Sequence, residues 1–170
     1  MACKTDKEER FLAVTDKYKD VIAKVCMLYV SQTASFDDLY QETLLNLWQG
    51  LDTFRGEAKI STWIYRTAIN TCITWHRRSK RHNPDAAISI ENLVIEPADN
   101  ADGAIMIEEY RELYSMISRL GPLDKALISL WLDEKSYDEI ALITGISMSN
   151  VAVRIHRIKD KLCKMAHEEY

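Results

Sequence analysis

Trp63, Arg66, Thr67, Asn70, Thr74 and Arg77 recur at helical steps of three and four, which lines up a ring, two guanidinium groups and an amide. Around them, Ala58 to Pro84 holds six Lys/Arg side chains and no carboxylate in 27 residues, although the whole chain carries a net charge of −4. Attraction to a polyanion decays within about 8 Å at physiological salt, so local charge outweighs the total. Rings stack on exposed bases, guanidinium groups hold phosphates and an amide reads a base edge. The stripe therefore suits a nucleic acid with unpaired bases. Ile64, Tyr65, Ala68, Cys72 and Trp75 fall on the opposite side and are expected to face a core.

A second basic stripe lies near the C-terminus. Asn150, Arg154, Arg157, Lys161 and Lys164 share one side of a predicted helix whose other side carries Val151, Ile155, Ile158, Leu162 and Met165. Ser136 followed by Glu139 is a capping-box pattern that opens a short helix before it. Gly145 supplies the turn between the two helices, and Ser147 or Ser149 can cap the second. Ala141, Gly145 and Val151 then occupy the small, turn and core positions of a helix-turn-helix, whose second helix enters a major groove. An αα-hairpin with a solvated basic face has the same pattern.

The elements that must position these groups are helical. Five Gly and three Pro in 170 residues, with 47% hydrophobic residues, argue against a turn-rich β architecture. Phe11, Val14, Tyr18, Val21, Ile22, Val25 and Leu28 form one apolar set; Tyr40, Leu44, Leu47, Trp48 and Leu51 form another. Between His82 and Tyr110 no Lys or Arg occurs, while seven acids and two prolines do, which marks a linker. The expected fold is all-α: two small helical bundles, 8–81 and 105–168, joined by a flexible acidic linker at 82–104, the second containing the helix-turn-helix. Cys3, Cys26, Cys72 and Cys163 form no CxxC pair, which fits a reduced cytoplasmic chain. Cys72, His76 and His82 lack a fourth ligand at zinc spacing, so no metal and no cofactor is expected. No apolar run reaches the length of a membrane span.

Asp37-Asp38-Leu39-Tyr40-Gln41-Glu42, Leu47-Trp48, Phe54-Arg55-Gly56, Thr62-Trp63-Ile64-Tyr65-Arg66 and Ala68-Ile69-Asn70, in that order, resemble the second region of bacterial RNA polymerase sigma factors. Leu120-Gly121-Pro122-Leu123, Ser136 to Ala141 and Val151 to Arg157 are similar to the fourth. With only these two regions and a short linker, the chain resembles the extracytoplasmic-function (ECF) group. The resemblance implies a promoter-specificity subunit with no catalytic residue. It implies that Asp38, Gln41 and Glu42, with Leu45 among them, dock on the β′ clamp helices of core polymerase, and that part of the Leu123–Trp131 segment meets the β flap. Phe54 and Asn70 would help form a pocket for a flipped base of the −10 element, with Arg66, Arg77 and Arg78 on phosphates. Trp63 either stacks on DNA or packs the preceding loop. Ser149, Asn150, Ala152, Arg154, His156 and Arg157 would meet the −35 element, with sequence preference leaning on Arg154 and Arg157.

The resemblance further implies promoter DNA and an anti-sigma factor as partners, and an acidic linker that either threads towards the RNA exit path or serves as a solubilising spacer. Two rivals come from other classes. A stand-alone helix-turn-helix regulator would bind duplex DNA without polymerase. An α-helical enzyme using Asp37, Asp38, Glu42 and Glu57 would need a second acidic or histidine motif, which the chain lacks.

Overall fold

Ser35 ends the first turn of the chain and begins its second helix: its hydroxyl accepts from the Asp38 amide at 3.1 Å, satisfying a donor that the helix itself leaves unpaired. Caps of this kind delimit the elements in a computed structural model that describes residues 2–82 and 111–168, with side chains from 6–81 and 111–167. In chain order these are α1 (Ala2–Met27), α2 (Phe36–Gly50), a 3-10 turn (Leu51–Thr53), α3 (Ile60–His82), α4 (helical over 111–118), α5 (Pro122–Leu132), α6 (Tyr137–Thr144) and α7 (Met148–Glu168). Among the described residues the only β pairing is an isolated bridge between Ser31 and Ala34. The acidic linker at 82–104 lies, apart from the end of α3, outside the described residues, as do 105–110.

Helices α1, α2 and α3 form the N-terminal unit around Ile22, Val25, Cys26, Leu39, Leu47, Ile64, Ala68 and Cys72, all nearly inaccessible to solvent. Helix α1 starts six residues before the expected boundary at residue 8, and its N-terminal part is held where Phe11 meets Trp48 edge-on at 5.2 Å and Lys7 lies over the same ring while pairing with Asp52. On α2 the buried line is Leu39, Thr43 and Leu47, with Tyr40, Leu44 and Trp48 only half-buried. Thr43 tolerates burial through the Cys26 thiol, 3.7 Å from its hydroxyl. Hydrogen bonding to Cys26 and burial together push the Cys72 thiol up, so Cys72 stays protonated, while the same hydrogen bond draws the Cys26 thiol down.

In the C-terminal unit, Pro122 opens α5 at a position where a missing amide costs nothing. Ser136 and Glu139 close the expected capping box, the Ser136 amide donating to the carboxylate at 3.0 Å and the Glu139 amide to the hydroxyl at 3.2 Å. Ser147 caps α7 by accepting from the Asn150 amide at 3.3 Å. Gly145 ends α6 with φ at 76°, a left-handed conformation that a side chain opposes. No atom would meet an added Cβ there, so Gly145→Ala carries only the backbone penalty. It is expected to cost about 1–2 kcal/mol and lower the thermal midpoint by roughly 3–6 °C, readable by circular dichroism.

The two units do not stand apart. Their buried residues form one continuous cluster, and α3 lies directly against α5 and α6. Lys125, from α5, is 2% exposed and donates to the Leu28 carbonyl at 3.3 Å; the Tyr29 hydroxyl donates to the Pro122 carbonyl at 2.7 Å. Composition shift at a linker is what suggests separate bundles; these contacts join residues more than 90 positions apart and leave no local trace in the sequence.

Candidate nucleic-acid interface

Helix α3 keeps its two predicted faces. Ile64, Tyr65, Ala68 and Cys72 are buried and Trp75 half-buried, while Arg66, Asn70, Thr74, Arg77 and Arg78 are exposed. Its N-terminal end is fitted to the preceding loop. Trp63 stacks obliquely on Phe54, ring centroids 5.1 Å apart, and lies so close to Gly50 that an added Cβ would come within 3.1 Å of the ring. Trp63 therefore packs the loop, yet its half-exposed ring, with Phe54, Arg55 and Arg66, also walls an open hollow of about 350 Å³. That volume falls in the range of small-ligand pockets and has an aromatic wall beside two guanidinium groups.

Asn70 lies one turn further on, at the meeting of two other hollows. One, of about 600 Å³, runs along Ile73, His76, Arg77, Lys80 and Arg81 to Pro122 and Leu123 of α5. The other, of about 400 Å³, is shared with Glu42, Asn46, Thr71, Thr74, Trp75 and Arg78. Phe54 and Asn70 thus line separate hollows rather than the single pocket that the resemblance implies. Burial, followed by Lys125 and Lys80, pulls His76 below the usual imidazole range, so at neutral pH the floor of the larger hollow is charged by Arg77, Lys80 and Arg81 rather than by His76.

The outer face of α2 carries Asp38 and Gln41 in solvent and Leu45 at 47% exposure. An accessible leucine ringed by polar groups is how a modest protein interface is built. Glu42, half-buried, turns instead towards the hollow that holds Arg78. On α7, Ser149, Asn150, His156 and Arg157 are exposed, with His156 3.5 Å from Asp160. Ala152 is half-buried. Arg154 is folded onto α5, its Nε 3.2 Å and a terminal nitrogen 3.1 Å from Asp124 Oδ1. Sequence periodicity overlooks Val153 and Met148, which stand about half exposed on the open side of the helix-turn-helix. An apolar side chain there can meet a thymine methyl.

The family model of Sigma-70 region 2 matches residues 14–82, which spans α3, and that of Sigma-70 region 4 matches 110–162, which spans the helix-turn-helix. The chain belongs to the sigma-70 factors, in their ECF group. It is 27% identical to the ECF RNA polymerase sigma factor SigW of Bacillus subtilis, over 97% of this chain and 93% of that protein. It is equally identical to the ECF RNA polymerase sigma-E factor of Escherichia coli K12, over 91% and 85% of the two. Its fold is shared with the sigma factor RpoE of Bartonella quintana, solved in complex with the anti-sigma factor NepR (TM-score 0.71, 19% identity, 95% and 97% coverage). It is shared too with CnrH, solved in complex with the cytosolic domain of CnrY (TM-score 0.67, 19% identity, 96% and 91% coverage). This sigma factor binds core RNA polymerase, directs it to promoters and promotes their opening; it performs no bond chemistry. Among its described residues no helix is long and apolar enough to cross a membrane, and no three His, Cys, Asp or Glu side chains converge as a metal site.

Proposed function

We propose that the sigma factor divides promoter recognition between its units: residues 8–81 hold the unwound −10 strand and dock on the β′ clamp helices, and residues 105–168 read the −35 duplex. The observation that carries this reading is the pairing, in one chain, of two cationic helix faces of different make-up. Helix α3 sets arginines among ring- and amide-lined hollows suited to unstacked bases. Helix α7 is a capped second helix of a helix-turn-helix, with Ser149, Asn150, His156 and Arg157 open to a groove. Asp38, Gln41 and Leu45 of α2 form the polymerase-facing patch, with Glu42 at its edge. The chain works in the cytoplasm, where polymerase is, and is held in check by an anti-sigma partner of the kind seen with RpoE and CnrH.

The test is initiation in vitro. Core polymerase supplemented with this chain is expected to start transcripts from a subset of a promoter library on which core alone is silent. A chain that binds duplex tightly but never joins core polymerase would instead be a stand-alone regulator. Within the upstream reader, base preference rests on Arg157, because Asp124 already holds Arg154. Arg157→Ala is expected to erase about 1–3 kcal/mol of discrimination at one upstream position, measured as a preference matrix. Arg154→Ala leaves that matrix unchanged.

A further inference from the structure

The hollow of about 600 Å³ between α3 and α5 differs in charge from the other two. Glu42 lines the second and Glu57 the third, whereas no carboxylate lines the first. Its cations are Arg77, Lys80 and Arg81, all exposed and, among the described residues, without an ion-pair partner. Other arginines of the two cationic faces are already engaged. Arg66 donates to the Leu142 carbonyl of α6 at 2.7 Å, and Arg154 neutralises Asp124, the carboxylate that follows Leu123 on α5. Positive potential also reaches the hollow from behind. Lys125 and Lys80 both pull His76 down, which records their field at the imidazole. The Lys125 ammonium is 2% exposed and has one acceptor among the described residues, the Leu28 carbonyl at 3.3 Å. The first turn of α5, which Gly121 leaves without a side-chain cap, adds the positive end of a helix.

The remaining lining groups restrict the kind of anion that fits. Ile73, Pro122 and Leu123 give an apolar wall, with neutral His76 beside them, and Asn70 offers an amide that both donates and accepts. A bare inorganic anion would leave that wall in water. A molecule with a flat heterocycle at one end and linked phosphates at the other meets both halves. Its apolar face gains from burial, its charge is met by three cations, and a hollow of this size falls in the range of small-ligand sites.

We infer that this hollow binds a nucleoside di- or triphosphate, its phosphates on Arg77, Lys80 and Arg81 and its base against Ile73, Pro122 and Leu123. Asn70 and Arg77 are shared with the proposed −10 reading, so a filled hollow withdraws both from the unwound strand. The site stands on its lining residues; only this competition rests on that reading. By mass action the strand's apparent affinity falls as the hollow fills.

Calorimetric titration of the full chain with ATP, inorganic triphosphate and adenosine, in magnesium-free buffer, tests the site. ATP is expected to bind one per chain, about tenfold more tightly than triphosphate or adenosine. Bound phosphates offset the field of Lys80 and Lys125, so His76 should titrate at higher pH with ATP present, as read by proton NMR. Lys80→Ala is expected to weaken ATP about fivefold to tenfold. Lys80 is exposed, so its truncation spares the fold. Lys17→Ala removes the same charge from α1, which does not line the hollow, and should leave affinity within about twofold. No saturable binding, triphosphate binding as tightly as ATP, an unmoved His76, or equal losses in the two variants would each overturn the site. For the competition, ATP is expected to displace a fluorescent single-stranded DNA oligonucleotide of mixed sequence about tenfold more effectively than triphosphate does. ATP that binds yet leaves the strand in place would overturn the competition. Strand binding that Asn70→Ala leaves unchanged would remove the −10 reading of Asn70, while the calorimetry still decides the nucleotide site.

Discussion

Alanine at Asn70 is expected to slow promoter opening about 10- to 100-fold while leaving upstream duplex binding within about twofold. Asn70 sits exposed where two hollows meet, backed on α3 by buried Ile69 and Thr71, so truncating it leaves the packing of the helix intact. Thr71 is fixed independently, donating to the Thr67 carbonyl at 2.8 Å and accepting from Asn46 at 2.9 Å. Extruding a base costs a few kcal/mol of stacking, and the strand-holding site must offset that cost. A side-chain amide that meets a base edge and is then removed forfeits about 1.5–3 kcal/mol, which is the expected slowing. Permanganate reactivity of unpaired thymines follows opening directly, and mobility shift of the upstream duplex follows binding. Equal losses in the two would place Asn70 outside the strand-holding site.

Methionine at Lys125 is expected to raise the thermal midpoint at pH 7 by roughly 3–6 °C and to flatten its dependence on pH between about 8 and 10.5. The ammonium is buried, with the Leu28 carbonyl as its acceptor and the Tyr29 ring 5.6 Å away, and burial lowers its pKa from 10.5 to about 8. Below pH 8 the group is charged whether the chain is folded or not, so the folded state bears the full desolvation cost. As pH rises from 8 to 10.5 the folded chain gives up the proton while the unfolded chain keeps it. Stability therefore climbs across that window, by up to about 3 kcal/mol. The groups facing Lys125 do not reverse this: burial holds the Tyr29 phenol above its usual range, and His76 is already neutral there. An apolar side chain of similar volume removes the cost, less about 1 kcal/mol for the carbonyl left without its donor. His76, freed from one cation, should titrate at higher pH, which proton NMR can follow.

Local rules written along the helices were readable in advance. Ser136 with Glu139, Gly145 and Ser147 each satisfy backbone groups within a few residues, so their sequence pattern is their structure. The two faces of α3 follow from periodicity for the same reason. On α2 periodicity pointed to Tyr40, Leu44, Leu47 and Trp48 as the core face, but packing on α1 and α3 buries Leu39, Thr43 and Leu47 most deeply, a line that apolar spacing misses because it contains a threonine. Charge patterning was the poorest guide. Lys125 directly precedes the buried, mostly apolar stretch from Ala126 to Leu130 and is buried with it; Arg154, part of the basic stripe, turns onto Asp124. Both outcomes depend on partners on other elements, which no spacing records. The closed packing of the two units, and with it the engagement of Arg66 by α6, was invisible for that reason.

The division of labour between the units can be isolated on a promoter whose −10 segment is mismatched and so already open. Transcription from this template by core polymerase and the sigma factor should be restored nearly to the native level for Asn70→Ala and remain depressed for Arg157→Ala, since a preformed bubble supplies what α3 does and nothing of what α7 does. Equal rescue of both variants, or of neither, would contradict the assignment of the unwound strand to one unit and the intact duplex to the other.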